Sequence, residues 1–176
     1  MVKVTILTVV YNCEETIVRT MESVLNQTYQ NIEYIVIDGA STDNTVVLAE
    51  KFADEFKKCG REIKIISEPD NGMYDALNKG VSLASGELIG NINADDWYNP
   101  QAVWRMVEFY EMTHYDLAWA DLNIVKHSGN MIKKARIGKI WTTAGFCHPT
   151  MFAKKKILLE FPYACRGIDD DFDMAT

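Results

Sequence analysis

Asp95 and Asp96 stand side by side in Asn93-Ala94-Asp95-Asp96-Trp97, directly after the apolar run Glu87 to Ile92. Adjacent carboxylates in a short turn repel each other, and hydrogen bonds or a cation must relieve that repulsion. Hard Mg²⁺ or Mn²⁺ suits such a pair, because it takes one or two carboxylates and completes its octahedron with phosphate oxygens and water. The same acids are also good capping residues for a helix near Pro100. Asp38 has a similar double character. Asp38-Gly39-Ala40-Ser41-Thr42-Asp43 is turn and N-cap material, yet a carboxylate at a strand end also accepts a hydrogen bond from the imino N–H of a base. Tyr11 offers a ring that either packs or stacks on such a base, and Lys79 a cation that either meets phosphate or lies on a solvated helix face. No GxGxxG follows the first strand and no GxxxxGK[ST] loop exists, so phosphates here would be met by metal and side chains.

These residues gain meaning from the elements that carry them. Val2 to Val10 is a β-branched run of the kind found in a strand covered on both faces. Glu14 to Gln27 places Ile17, Met21, Val24 and Leu25 at helical spacing, with acids in the first turn. Ile32 to Ile37 reads as a second strand, Val46 to Phe56 as a helix ended by Gly60, and Ile63 to Ile66 as a third strand. Tyr74 to Ala84 is then a helix and Glu87 to Ile92 a fourth strand. Strict βαβαβαβ alternation predicts a parallel sheet with right-handed crossovers. Ligands of such sheets bind beyond the carboxyl ends of the strands, where Tyr11, Asp38 and Asp95-Asp96 all fall.

After Pro100 the spacing predicts a helix from Gln101 to Met112, a strand from Asp116 to Ala120, and a hairpin over Asn123 to Ile132 turning at Ser128-Gly129-Asn130. No repeat or Pro/Ser-rich linker separates the halves, so 1–176 is expected to form one domain. The chain stops at Asp173-Met174-Ala175-Thr176 in what reads as the first turn of a helix, the pattern of a fragment.

A chain of 176 residues and 20.0 kDa buries roughly 70% of its unfolded surface, enough for a core without staples. Its charge of −7 argues against non-specific nucleic-acid binding, which Lys and Arg drive. No apolar run reaches the ~20 residues of a membrane span. Val4 to Tyr11 is followed by Asn12-Cys13-Glu14-Glu15 instead of a small-residue cleavage site, so it reads as a strand and not a signal peptide. Cys13, Cys59, Cys147 and Cys165 show no CxxC pair, and reduced thiols in a cytoplasmic protein are expected.

Thr8-Val9-Val10-Tyr11-Asn12, Ser23 to Thr28, Tyr34 to Asp43, Glu68-Pro69-Asp70-Asn71-Gly72, Tyr74 to Gly80, Ala84 to Glu87 and Asn93 to Trp97 resemble, in that order, family 2 glycosyltransferases. The resemblance implies a GT-A type three-layer α/β/α fold: a Rossmann-like, mostly parallel central sheet with a smaller irregular acceptor-side lobe. It implies inverting transfer of a sugar from a nucleotide-diphospho-sugar, most readily a UDP-sugar, to a saccharide or lipid-linked acceptor in cell-surface polysaccharide or glycolipid assembly. Residues 1–100 would form the donor half and 101–176 the acceptor half. By position, Thr8, Tyr11 and Asp38 would line the base pocket, Asp95 would approach ribose and diphosphate, Asp96 would hold the divalent metal, and Lys79 would assist the donor site. Asn93 stands where many members carry the first aspartate of the DxD pattern, leaving an acid pair.

In the second half, Phe146 to Phe152 resembles the family's His-containing strand, and Asp170-Asp171-Phe172-Asp173 its acidic motif. The resemblance makes Asp171 the general base, with Asp170 or Asp169 as neighbouring alternatives, and lets His148 complete the metal shell. Inverting transfer needs one such carboxylate to take the acceptor hydroxyl's proton. Other classes fit less well. Thr8 to Glu15 contains neither Gly nor Arg, unlike a nucleotidyltransferase loop, and Asp38-Gly39-Ala40 lacks the second acid of a phosphotransfer nucleophile. A non-catalytic nucleotide-sugar-binding or interaction domain is the alternative. Lys154-Lys155-Lys156-Ile157-Leu158-Leu159 reads either as a peripheral contact to anionic lipid or as a solvated helix face over core. The sequence carries no signal for an oligomeric state.

Overall fold

The computed structural model describes residues 1–126, 128–135 and 148–164. Strand β1 (Val4–Val10) is buried almost throughout, as an unbroken apolar run at the centre of a sheet must be. Helix α1 (Ile17–Leu25), β2 (Ile32–Asp38), α2 (Thr45–Lys58), β3 (Glu62–Ser67), α3 (Met73–Leu83) and β4 (Leu88–Asn91) follow in the expected alternation. β1 pairs in parallel with β2 from Val4↔Ile32 to Val10↔Asp38, and with β4 from Val4↔Leu88 to Leu7↔Asn91. β3 joins the outer side of β2, also in parallel.

Chain order then gives α4 (Ala102–Thr113), β5 (Leu117–Ala118), β6 (Leu122–Ile124), β7 (Met131–Lys133), a 3₁₀ turn at His148–Thr150, β8 (Phe152–Lys154) and α5 (Lys155–Glu160). β8 enters antiparallel between β4 and β5, completing a six-stranded sheet of order β3-β2-β1-β4-β8-β5. The strand expected over Asp116 to Ala120 is shortened to Leu117–Ala118, because Ala120 gives its N–H to the Thr150 hydroxyl and accepts that hydroxyl at its carbonyl. The His148 segment forms a 3₁₀ turn instead of a strand; Pro149 has no N–H to offer a ladder, and pairing begins only at Phe152. β6 and β7 form the expected hairpin as a separate antiparallel pair, with Gly129 at φ +120° between them.

Side chains alternate across the sheet and build two cores. Val4, Ile6 and Val10 of β1 face α1, α2 and α4 with Ile17, Met21, Val24, Phe56, Val103 and Val107. Leu7, Ile35 and Ile37 face α3 and α5 with Ala76, Leu77, Val81 and Leu158. α3 lies close to β1 because Gly80 has no side chain: a β-carbon there would sit 3.2 Å from both Leu7 methyls. The lysine run spans the end of β8 and the start of α5. Lys154 pairs with Asp116 at 2.8 Å, Lys155 donates to the Ala84 carbonyl at 2.6 Å, and Leu158 is buried.

One charged group is locked inside this frame. The Glu33 carboxylate, buried on β2, accepts hydrogen bonds from Thr5 Oγ1, Lys64 Nζ and the Ser85 N–H, each at 2.7 Å. Burial alone would raise its pKa; these three donors outweigh burial and hold it at about 2. The native state therefore gains stability from ionised Glu33 at pH above about 4.5 and loses it as pH falls towards about 2. At 1.36 kcal/mol per unit the contribution reaches about 3 kcal/mol. Urea titrations of wild type and Glu33→Gln should differ by an amount that is constant from neutral pH down to about 5 and shrinks as pH falls from there towards about 2; a pH-independent gap would contradict the assignment.

Candidate active site

The carboxyl ends of β1, β2, β3 and β4 converge on one edge, and their loops are tied to one another by side chains. Asn12, in a left-handed conformation at φ 51° just after Tyr11, accepts the Thr42 N–H at 2.8 Å and donates its own N–H to Ser41 Oγ at 2.8 Å. The Glu14 carboxylate accepts both the N–H and the side-chain amide of Asn44, and Asp43 accepts the Glu14 N–H. Helix α1 therefore begins at Ile17, later than the expected Glu14, because Glu14 is spent on the neighbouring loop. This stitching leaves Tyr11 at the edge with its ring 60% exposed.

Asp38 is not at the surface. It is 1% exposed, and its carboxylate accepts the Ser41 N–H at 3.0 Å, the Ser41 hydroxyl and the Ser67 hydroxyl at 2.6 Å. Its turn-forming character is thus realised, and it fixes the β2 loop against the end of β3. Thr8 differs from expectation more sharply. It shares the α1-side face of β1, is 0% exposed, and bonds the buried Tyr34 hydroxyl at 2.9 Å, so it stands behind the edge and lines no pocket.

The acid pair sits on a built turn. Thr20 Oγ1 of α1 reaches the carbonyls of Ala94 at 2.8 Å and Asp96 at 2.7 Å, and Ser23 Oγ accepts the Tyr98 N–H at 3.1 Å. Gln27, buried beyond the end of α1, donates to the Asn99 carbonyl and accepts the Val103 N–H. Neither acid caps α4: the helix starts at Ala102, and Asn99 supplies both its carbonyl and its side-chain oxygen to the entry turn. Asp95 is exposed and Asp96 half-buried. Burial and the Asp95 charge push the Asp96 carboxyl above the usual aspartate range, against the opposing hydrogen bond that Asn93 Nδ2 donates at 3.1 Å. A carboxylate so strained by its neighbour is stabilised by a divalent cation, and the donor set of two acid side chains on a fixed turn fits one.

The remaining expected residues divide. Lys79 of α3 is paired at 2.8 Å with Glu68 of the β3–α3 connection, and that hydrogen bond raises its pKa. His148 lies in the 3₁₀ turn that leads into β8, the strand paired with β4, and packs edge-on to Tyr163 at 6.2 Å. Asp169, Asp170 and Asp171 lie outside the described residues. Arg19 was not singled out by the sequence. Its guanidinium lies 3.3 Å from the centre of the Trp97 ring, directly beside the acid turn. The signal that would have found this corner is the polar stripe Thr20, Ser23 and Gln27, spaced three and four apart on an otherwise apolar helix face.

An exposed aromatic at the end of β1 and an acid turn at the end of the adjacent β4 give a parallel sheet one ligand-binding edge. The model of glycosyl transferase family 2 matches residues 5–174. The chain belongs to that family. The chain is 32% identical to EpsE of Bacillus subtilis (strain 168) over 161 residues, 86% of this chain and 56% of that one. Its fold superposes on S. aureus TarS 1–349, solved in complex with UDP-GlcNAc, with a TM-score of 0.79 at 20% identity, covering 98% of this chain and 52% of that one. It also superposes on the mannosyltransferase PcManGT from Pyrobaculum calidifontis, solved with GDP-Man and Mn²⁺, with a TM-score of 0.77 at 20% identity, covering 97% and 50%. These likenesses establish the GT-A α/β fold. The chain spans about half the length of such relatives.

Proposed function

We propose that this glycosyltransferase is an inverting enzyme that takes a UDP-sugar as donor and passes the sugar to a saccharide or lipid-linked acceptor in the assembly of cell-surface polysaccharide or glycolipid. The observation that carries the proposal is the pairing of the exposed Tyr11 ring with the Asp95-Asp96 turn on adjacent strands β1 and β4. The ring suits a nucleoside base, and the acids suit a cation on its diphosphate. The UDP-GlcNAc held by TarS and the GDP-Man and Mn²⁺ held by PcManGT support this reading. Among the described residues no helix is long and apolar enough to cross a membrane.

In the proposed reaction Tyr11 stacks on the base, and Asp95 and Asp96 are the residues that would hold Mn²⁺ or Mg²⁺. A divalent ion held by Asp95 and Asp96 would supply Lewis-acid stabilisation of the diphosphate leaving group. Asp171 accepts the proton of the acceptor hydroxyl as that oxygen attacks the anomeric carbon from the face opposite the leaving group. An ordinary aspartate, with a pKa of about 3.9, is ionised for this task at neutral pH. No covalent enzyme intermediate is needed, and the anomeric configuration inverts.

The chain incubated with Mn²⁺ and, in turn, UDP-glucose and UDP-GlcNAc should release UDP slowly even with water as acceptor, and NMR of the first-formed sugar should show the inverted anomer. Retention of configuration would contradict the mechanism. UDP binding with no turnover of any donor, with or without saccharide acceptors, would favour a non-catalytic binding domain.

A further inference from the structure

Against Gly39, in the loop after β3, lies an acceptor to which composition and spacing gave no role. Gly39 follows Asp38 at the end of β2, and its N–H donates to the Val10 carbonyl at 2.9 Å, directly before Tyr11 on the neighbouring strand. A β-carbon at Gly39 would lie 2.7 Å from Asp70 Oδ2. The Asp70 carboxylate therefore occupies the space that Gly39 leaves open, beyond the end of β3 on the same edge of the sheet. One of its oxygens, Oδ1, accepts the Gly72 N–H at 2.8 Å, which fixes the side chain. Oδ2 takes no hydrogen bond among the described residues, and Lys79, whose charge Asp70 feels, gives its ion pair to Glu68. Asp38, the other carboxylate of this corner, is buried and already holds three donors.

We propose that Asp70 reads the nucleotide base: its free carboxylate oxygen accepts the ring N–H of a uracil-type base stacked on Tyr11, while Gly39 keeps the space for that carboxylate open. The inference rests on the donor reading above and adds the residue that sets base preference. An ionised carboxylate only accepts, so it favours a base that presents N–H at its ring edge and disfavours one whose ring nitrogen carries a lone pair. Asp38 then acts as the positioning residue that shapes the Gly39 turn.

The test uses calorimetric titration of UDP and of N3-methyl-UDP, in Mn²⁺, into wild type, Asp70→Ala and Gly39→Ala, with thermal melts of each. Loss of a hydrogen bond to a charged group weakens binding by roughly 10- to 100-fold. Asp70→Ala should weaken UDP by that factor. N3-methyl-UDP should bind wild type with a similar loss, and Asp70→Ala should cost it nothing further. Gly39→Ala should weaken UDP without a large change in melting temperature, because the group it displaces is the end of a flexible side chain. Wild-type UDP affinity in Asp70→Ala, or losses from methylation and mutation that multiply independently, would overturn the role of Asp70 while leaving the donor site intact. Failure of wild type to bind UDP at all would overturn the donor site and this inference together.

Discussion

Asp96→Ala is expected to remove the metal-dependent part of nucleotide binding, lowering UDP affinity in Mn²⁺ by at least about 100-fold, the loss that follows when a charged pair to a ligand is broken. The effect is local to the site. The turn that carries Asp96 is held by Thr20 on its carbonyls, by Ser23 on the Tyr98 N–H and by Gln27, none of which uses the Asp96 carboxylate. The side chain itself has one hydrogen bond, from Asn93, and is half-buried against the charge of Asp95. Removing it relieves a repulsion, so the melting temperature should stay level or rise slightly. Unchanged UDP–Mn²⁺ affinity would take Asp96 out of the proposed metal site, and a collapse in thermal stability would mean that the turn depends on its carboxylate.

Asp171→Asn is expected to leave UDP binding at the wild-type level and to reduce sugar transfer by about 10² to 10⁴, the usual weight of general base catalysis. The asparagine keeps the shape of the side chain and removes its ability to take the acceptor proton. Single-turnover measurements of UDP release, paired with calorimetry of UDP, separate the two effects. Full turnover in this variant with loss in Asp170→Asn would place the base one residue earlier. Full turnover in both would remove the acidic motif from the proposed mechanism.

The sheet was legible because its signals are local and repeated. Apolar strand and amphipathic helix alternate from Val4 to Asn91, and each prediction held to within a few residues. Helix α1 was read too long at its start because Glu14, a good first-turn acid, serves Asn44 thirty residues away in sequence. The second half was less legible for a topological reason: β8 pairs antiparallel with β4 across more than sixty residues, and no spacing rule announces such a partner. Thr8 was misread because β1 is buried on both faces, so its sequence does not alternate and does not reveal that Thr8 points toward Tyr34. Asp38 was correctly seen as turn chemistry, but its saturation by Ser41 and Ser67 depends on the β2–β3 register and could not be read from one segment. The acid pair was the easier find. Two adjacent carboxylates after a buried strand advertise their repulsion directly, and the structure keeps them clear of the capping role that competed for them.

The most direct test of the donor site is calorimetric titration of UDP into the wild-type chain with Mn²⁺ and again in excess chelator. A saturable isotherm that appears with Mn²⁺ and disappears with the chelator is the predicted result. Binding of equal strength in both conditions, or no binding in either, would contradict the account of Tyr11 and the Asp95-Asp96 turn as two ends of one nucleotide-sugar site.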